Sequence, residues 1–170
     1  MVLEIMDEKK AYVELKFGPN WKYISTVRIF IVNFLAITLE DKIRADHIAM
    51  AVNELVENAI KYSDQYAIEI NLYVYNEGDY ITVSVCNYAR AEEVEELTRI
   101  LAEIKSEPPI DAFMKRIMEK SSKSKSKSTI GLARIIYETN ANITSSYKDG
   151  IVSVHAEFGN EGGKDEQPGH

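Results

Sequence analysis

Three polar side chains near the middle of the chain have the types and the spacing that phosphate chemistry needs. Glu54, Asn58 and Lys61 follow one another at intervals of four and three residues, which places them on one face of an α-helix. The amide oxygen of Asn58 is a ligand that Mg²⁺ accepts beside water and phosphate. The Glu54 carboxylate can take a proton from a nucleophile next to it, and the Lys61 ammonium can neutralise phosphate charge.

The stretch that carries these residues, 51–63, is predicted to be helical because it has neither Gly nor Pro and is rich in helix-forming residues. The simpler interpretation of its polar face is a solvated surface with a Glu57–Lys61 ion pair, worth a few tenths of a kcal/mol. A site is favoured because an acid, an amide and an amine converge at one helix end, followed by Tyr62. The other face suits packing on a sheet, with Ile48, Val52, Leu55, Val56 and Ala59.

Residues 54–63, Glu-Leu-Val-Glu-Asn-Ala-Ile-Lys-Tyr-Ser, resemble the N box of the GHKL superfamily, the histidine-kinase-like ATPases with a Bergerat fold. In that family, the Asn at the place of Asn58 binds Mg²⁺. The acid at the place of Glu54 is the general base of its ATPases and anti-sigma-factor kinases. Lys61 and Tyr62 match positions near the phosphates and the adenine. The resemblance therefore implies an ATP and Mg²⁺ site with Glu54 as the catalytic base.

The adenine-binding element of that family has a counterpart with three substitutions. The strand after the N box ends at Asn87, where the family has an Asp that binds the adenine amino group. Ala89 and Ala91 replace the glycines that follow it. Asn87 keeps a hydrogen-bond acceptor but loses the charge, and the resemblance implies that it faces the base. The simpler interpretation is a turn residue at the end of a strand.

The family's second phosphate element also has a counterpart. Gly131 and the two residues after it match a Gly-Leu-Gly/Ala motif at a helix start, and Thr129 replaces its first glycine. A helix N-terminus offers free N–H groups and the positive end of its dipole to phosphate. We expect Lys125, Lys127 and Thr129 to bind phosphate with the N–H of Gly131. Taken alone, the Lys- and Ser-rich stretch 121–128 also suits a flexible linker before an ordinary capped helix.

The remaining pattern predicts an α+β fold, a two-layer sandwich in which a mixed or antiparallel sheet carries its helices on one face. This is also the arrangement that the GHKL resemblance implies for residues 17–158. Alternation of apolar and polar residues predicts five strands, within 11–17, 68–75, 81–86, 143–147 and 151–158. Helices are predicted within 21–39, from a cap at Asp41 through 51–63, and within 92–105, 109–120 and 129–137.

The composition of the chain limits which class of protein it can belong to. A chain of 170 residues, 45 % of them hydrophobic, suits one domain over 1–158, with a Gly- and acid-rich tail over 159–170 that we expect to be disordered. A net charge of -7 argues against a duplex nucleic-acid partner. The single cysteine, Cys86, fits a reducing cytoplasm. The longest apolar run, 29–39, is too short to span a bilayer, so a cytoplasmic protein without a membrane partner is expected.

Within the superfamily, the order of parts is most similar to the small anti-sigma-factor-type kinases and the SiaB-like regulators among them. Such proteins bind ATP, phosphorylate Ser or Thr on a small STAS-domain antagonist and so switch its partners; they are often homodimers. The resemblance implies a serine/threonine protein kinase of a partner-switching system. The alternative is a degenerate GHKL-like module that only binds proteins, which the substituted glycines would explain. A plain hydrolytic ATPase is a third interpretation.

Overall fold

The computed structural model of the chain describes residues 12–64, 69–121 and 130–159. A short 3-10 turn, Trp21–Tyr23, precedes the first α-helix. In chain order, the strands and α-helices are β1 (Tyr12–Phe17), α1 (Ile24–Leu39), α2 (Lys42–Tyr62), β2 (Ile70–Asn76), β3 (Tyr80–Tyr88), α3 (Ala91–Lys105), α4 (Pro109–Ser121), α5 (Ile130–Thr139), β4 (Asn142–Lys148) and β5 (Ile151–Gly159).

The five strands form one sheet in the order β1-β2-β3-β5-β4. Every neighbouring pair is antiparallel, so the sheet predicted as mixed or antiparallel is antiparallel. Because successive side chains alternate between the two faces, one row of paired residues shows which face holds the core. The row that crosses all five strands is buried in every strand, at Val13, Val74, Val83, Ala156 and Ile143. The predicted α+β fold is confirmed.

The first two helices form a hairpin that places α2 on this core. Glu40 adopts a left-handed backbone conformation, with φ 55°, and ends α1. The Asp41 carboxylate accepts a hydrogen bond from the Arg44 backbone N–H at 3.0 Å, so Asp41 caps α2 as predicted. The apolar face predicted for α2 is buried along its length, at Ile48, Val52, Leu55, Val56 and Ala59. The polar face of α2 therefore points away from the core.

The segment Trp21–Leu39 is longer and more apolar than the run 29–39 suggests. It has 19 residues and a mean hydropathy of 1.4, so by length and composition alone it is long enough to cross a bilayer. One of its faces nevertheless lies in the protein core, where Ile24, Val27, Ile31 and Leu35 are buried. On this side, the segment is therefore buried in the way that a core helix of a globular protein is.

Element ends agree with the predicted ones to within three residues. Strand β5 continues through Gly159, because that residue still pairs with Tyr80 on β3. The rest of the predicted tail, 160–170, and most of the Lys- and Ser-rich stretch, 122–128, lie outside the described residues. Helix α5 runs to Thr139, two residues beyond its predicted end.

Candidate functional site

The carboxylate of Glu54 on α2 lies directly against Gly131 at the start of α5. A Cβ atom at position 131 would overlap Glu54 Oε2 and would lie 3.2 Å from Glu54 Cδ. Gly131 is itself buried, so a larger residue there would have to displace the carboxylate. The fold therefore brings together the predicted base and the predicted phosphate-binding glycine, from two different helices.

An arginine that the sequence analysis did not single out holds this carboxylate. Arg134 Nη1 lies 3.5 Å from Glu54 Oε1, and Arg134 Nε donates to Glu138 Oε1 at 2.8 Å. The sequence did contain one indication for Arg134. It lies three residues after Gly131, and residues at that spacing share one face of a helix. Arg134 thus links the acid of α2 to an acid of its own helix.

The environment of Glu54 favours its protonated form. Burial raises the pKa of this carboxyl group above its ordinary value, and the neighbouring Glu57 adds to the rise, whereas Arg134 and Lys61 act in the opposite direction. The Glu54 side chain is 21 % exposed. A carboxylate whose pKa is raised towards neutrality is a better proton acceptor than a solvated one.

A small cavity gathers three predicted site residues, although neither Glu54 nor Gly131 lines it. Asn58 and Tyr62 reach it from α2, and Asn87 reaches it from β3. The volume is about 50 Å³, which is room for roughly four water molecules. Most of its wall is apolar, with Leu55, Ala59, Val85, Ala89, Val94, Leu97, Ile100, Leu132, Val152 and Val154. An apolar cavity with a few polar groups is the usual form of a small-molecule site.

Asn87 is part of the cavity wall and not an exposed turn residue. It lies inside β3, which extends two residues beyond the predicted end, and it is only 4 % exposed. Its Nδ2 donates to the Tyr88 backbone oxygen at 3.1 Å. The two alanines that follow differ from each other: Ala89 is buried in the cavity wall, whereas Ala91 is exposed as the first residue of α3. The simpler interpretation of Asn87 as a strand-end turn residue is therefore wrong.

Helix α3 closes the cavity, which sequence reasoning did not predict. Val94, Leu97 and Ile100 fill its side of the wall, and Glu93 and Glu96 stand beside them. The signal available was the apolar spacing of these three residues along one face of α3.

The acids of α3 also act on the tyrosine that lines the cavity. Burial, with Glu93 and Glu96, raises the pKa of Tyr62 to about 12. The phenol is therefore neutral at physiological pH and can donate a hydrogen bond. Each of these acids also forms an ion pair. Glu93 pairs with Arg90 at 3.1 Å, and Glu96 pairs with Arg99 at 2.7 Å.

Of the other predicted phosphate-binding residues, only Lys61 lies in the described part of the chain. Lys61 is exposed on α2 and does not line the cavity. Lys125, Lys127 and Thr129 lie outside the described residues, so their role stays a prediction. Glu57 accepts a hydrogen bond from Asn53 Nδ2 at 2.7 Å, and this is the partner that the structure gives it in place of Lys61.

The side chains at the cavity suit a weakly bound Mg²⁺ ion better than a permanently bound metal ion. Within residues 12–64, 69–121 and 130–159, no group of three or more His, Cys, Asp or Glu side chains is placed to hold a metal ion. Asn58 is half-buried beside the cavity and carries one suitable oxygen. A Mg²⁺ ion bound through one protein oxygen would need phosphate and water for its remaining ligands.

Comparison with known proteins identifies the fold. No protein-family model matches the sequence, and no curated protein matches it. Among solved structures, the chain is similar to a chain in the crystal structure of the SiaB–SiaC complex from Pseudomonas aeruginosa. The TM-score is 0.68 and the sequence identity 17 %, over 86 % of this chain and 88 % of that chain. The likeness extends over most of both chains and is a likeness of fold.

Proposed function

We propose that the protein is an ATP- and Mg²⁺-binding regulator of a partner-switching system, and that it phosphorylates a serine or threonine of a STAS-domain protein. The observation that supports this best is the contact of Glu54 with Gly131, together with a cavity that Asn58, Tyr62 and Asn87 share. The solved neighbour was crystallised within a two-protein complex, that of SiaB with SiaC. A complex with a second protein is what we propose for this chain too.

In this proposal each residue has a role that suits its place. Asn87 and Tyr62 face the adenine, and Asn58 supplies the protein ligand to Mg²⁺. The N–H of Gly131, at the start of α5, would hold a phosphate group. Lys61, which does not line the cavity, adds a donor to phosphate. Lys125, Lys127 and Thr129, which lie beyond the described residues, add further donors in this proposal.

Glu54 is the catalytic base of the proposed reaction. It accepts the proton of the partner's hydroxyl group as that oxygen bonds to the γ-phosphorus and the bond to the β-phosphate oxygen breaks. Phosphoryl transfer depends on positioning and charge neutralisation more than on covalent help from the protein. The contact with Gly131 and the pairing with Arg134 at 3.5 Å keep the Glu54 carboxylate at the start of α5.

The direct test is transfer of labelled phosphate from Mg-ATP to a STAS-domain protein encoded by a neighbouring gene. We expect transfer by the wild type and a loss of about 10²- to 10⁴-fold for Glu54→Gln, the usual contribution of general-base catalysis. The matched control is Glu92→Gln, since Glu92 is an exposed acid on α3 that does not line the cavity. Absence of transfer while Mg-ATP binding is intact, with Glu54→Gln indistinguishable from wild type, would reject the kinase role.

A second function, a module that binds its partner without a nucleotide, is favoured by the size of the cavity. Its volume of about 50 Å³, room for roughly four waters, is small for a nucleotide. Alanines at 89 and 91, where the GHKL family has glycines, point the same way. A partner complex whose affinity is the same with Mg-ATP and with apyrase-treated protein would support this function over the kinase.

A further inference from the structure

Helix α4 turns an apolar side to water and a charged side to the rest of the protein. Ile110, Met114, Ile117 and Met118 are spaced so that they share one side of the helix, and each is between 40 % and 66 % exposed. We call these four residues the outer face of α4. A single exposed apolar side chain is ordinary, whereas four on one side form a patch of the kind that marks an interaction site.

The inward side of α4 shows why the helix is held in this orientation. Its Arg116 side chain is only 11 % exposed, and it pairs with Glu103 on α3 at 2.7 Å and with Glu119 at 3.4 Å. Ala112 and Phe113 belong to the main core. Turning α4 to bury its outer face would break the ion pair with Glu103 and take Phe113 out of the core. Covering the outer face therefore requires another surface, and not a rotation of the helix.

The outer face lies on the helix next to the one that contacts Glu54. The rings of Phe113 on α4 and Tyr137 on α5 are stacked, with their centroids 5.2 Å apart, and α5 carries Gly131, which lies against Glu54. Gly131 and Tyr137 are six residues apart, which is about 9 Å along a helix axis. A protein bound to the outer face of α4 is therefore within reach of the site proposed for phosphate transfer.

The composition of the outer face suits a protein partner with acidic residues. Two of its four residues are Met, whose flexible side chain adapts to irregular surfaces and is enriched in interfaces. Two exposed lysines, Lys115 and Lys120, lie on either side of Ile117 and Met118 around the helix, and Lys115 also pairs with Glu107 at 2.8 Å. Acidic side chains around an apolar centre would complement such a rim.

We propose that the outer face of α4 is the docking surface for the protein substrate of the proposed kinase, and that the substrate meets it with an apolar patch beside acidic residues. The identity of that protein rests on the proposed function. An anionic bilayer is a poorer match, since a chain with a net charge of -7 is repelled from it. Helices that lie on a bilayer also commonly insert Trp, Phe or Leu, and the outer face has none of these.

Calorimetric titration of a STAS-domain protein encoded by a neighbouring gene into the full chain, without nucleotide, tests this proposal. We expect Met114→Glu and Ile117→Glu each to weaken binding at least about tenfold, because each places a carboxylate in an apolar contact. The matched control is Ile43→Glu on α2, where the residue is 73 % exposed; it should bind as the wild type does. Unchanged affinity in both outer-face variants, or no complex with the wild type, would overturn the proposal.

Reversal of one charge tests the acidic residues expected on the substrate. Lys120→Glu should weaken binding at low ionic strength, and the difference from wild type should shrink as salt is added. Lys42→Glu makes the same change at an exposed position of α2 and should leave the affinity as it is. Equal weakening in both variants would assign the effect to net charge and would overturn the expected contact with Lys120.

Transfer kinetics distinguish this docking surface from the kinase role. Met114→Glu should raise the KM for the STAS-domain protein at least about tenfold and leave kcat unchanged, because a docking contact is equally strong before and during transfer. A complex that Met114→Glu weakens but that receives no phosphate would reject the kinase and support the docking surface. A wild-type dimer that Met114→Glu dissociates, or binding to phosphatidylglycerol vesicles that it abolishes, would overturn substrate docking in favour of those surfaces.

Discussion

At the scale of single residues, the site depends on a carboxylate fixed by two neighbours of different kinds. Gly131 leaves room for Glu54 because it has no side chain, and Arg134 pairs with it at 3.5 Å. Glu54 and Gly131 are 77 positions apart in the chain, so only the packing of α2 on α5 brings them together. The steric requirement at 131 and the electrostatics at 54 can be tested separately.

Gly131→Ala is expected to separate function from stability. Alanine favours a helix over glycine by up to about 1 kcal/mol, so the free energy of unfolding should change by about 1 kcal/mol or less. The added Cβ must displace the Glu54 carboxylate. Because a misplacement of about 1 Å can cost 10²-fold in rate, phosphate transfer should fall at least tenfold. Kinetic assays beside urea unfolding check both.

The control for this prediction is Gly159→Ala, where the nearest atom to a Cβ is a ring carbon of Tyr80 at 3.7 Å, an ordinary contact. That variant should transfer phosphate at the wild-type rate. Gly131→Ala with full activity would show that the Glu54 carboxylate does not need its observed place.

Glu54→Gln should change how stability depends on pH. The pKa of Glu54 is raised above 4.5, so just above pH 4.5 the folded protein binds more protons than the unfolded chain. Stability due to this group is therefore lost as pH rises through that window. The variant lacks this loss, so it should be at least as stable as wild type at pH 7. The two should agree more closely at pH 4, which serves as the internal control; a less stable variant at pH 7 contradicts the assignment.

The sequence alone was sufficient to predict the placement of residues whose spacing follows a local pattern. The spacing of Glu54 and Asn58 on one helix face follows from the helical period alone. It was not sufficient for Arg134, because the pairing of that residue with Glu54 spans 80 positions. Asn87 shows the same limit: as a strand-end Asn it suggested a turn, and only the pairing of β3 with β5 shows that it is buried.

At the scale of elements, α3 determines whether the cavity can admit a base. Its Val94, Leu97 and Ile100 complete a wall that β3, β5 and α2 begin. The amphipathic pattern of α3 predicted a helix within one residue of its observed start. The pattern could not predict which surface the helix covers, since periodicity gives a buried face but not its neighbour. The volume of the cavity therefore depends on how α3 packs.

Leu97→Ala tests this role of α3. Removing a half-buried side chain from the cavity wall should cost about 1–2 kcal/mol in the free energy of unfolding, below the 2–5 kcal/mol of a fully buried leucine. It should also raise the affinity for Mg-ATP, because the shorter side chain enlarges the cavity that Leu97 lines. Calorimetric titration beside urea unfolding checks both.

Leu101→Ala is the matched control, since Leu101 is buried on the same helix but does not line the cavity. It should lower stability by about 2–5 kcal/mol and leave nucleotide affinity unchanged. If both variants change the affinity equally, the effect comes from loosening α3 in general and not from the cavity.

At the scale of the whole molecule, one antiparallel sheet and the helices share one main core. The cavity lies between α2, α3 and the sheet. Alternating strands and capped helices predicted the layers, because one buried face per strand is a local property. The exposure of Ile29 and Ile37 on α1 was not predicted, because this helix is rich in apolar residues on more than one side.

We propose that Asn58, Tyr62 and Asn87, which share one cavity, line a site for Mg-ATP. Isothermal titration of Mg-ATP into the purified protein tests this proposal, with Asn58→Ala and an EDTA-treated sample alongside. We predict wild-type binding in the micromolar range, about −8 kcal/mol, weakened at least tenfold by Asn58→Ala and by EDTA. No binding up to millimolar Mg-ATP, or equal binding by wild type and Asn58→Ala, would contradict it.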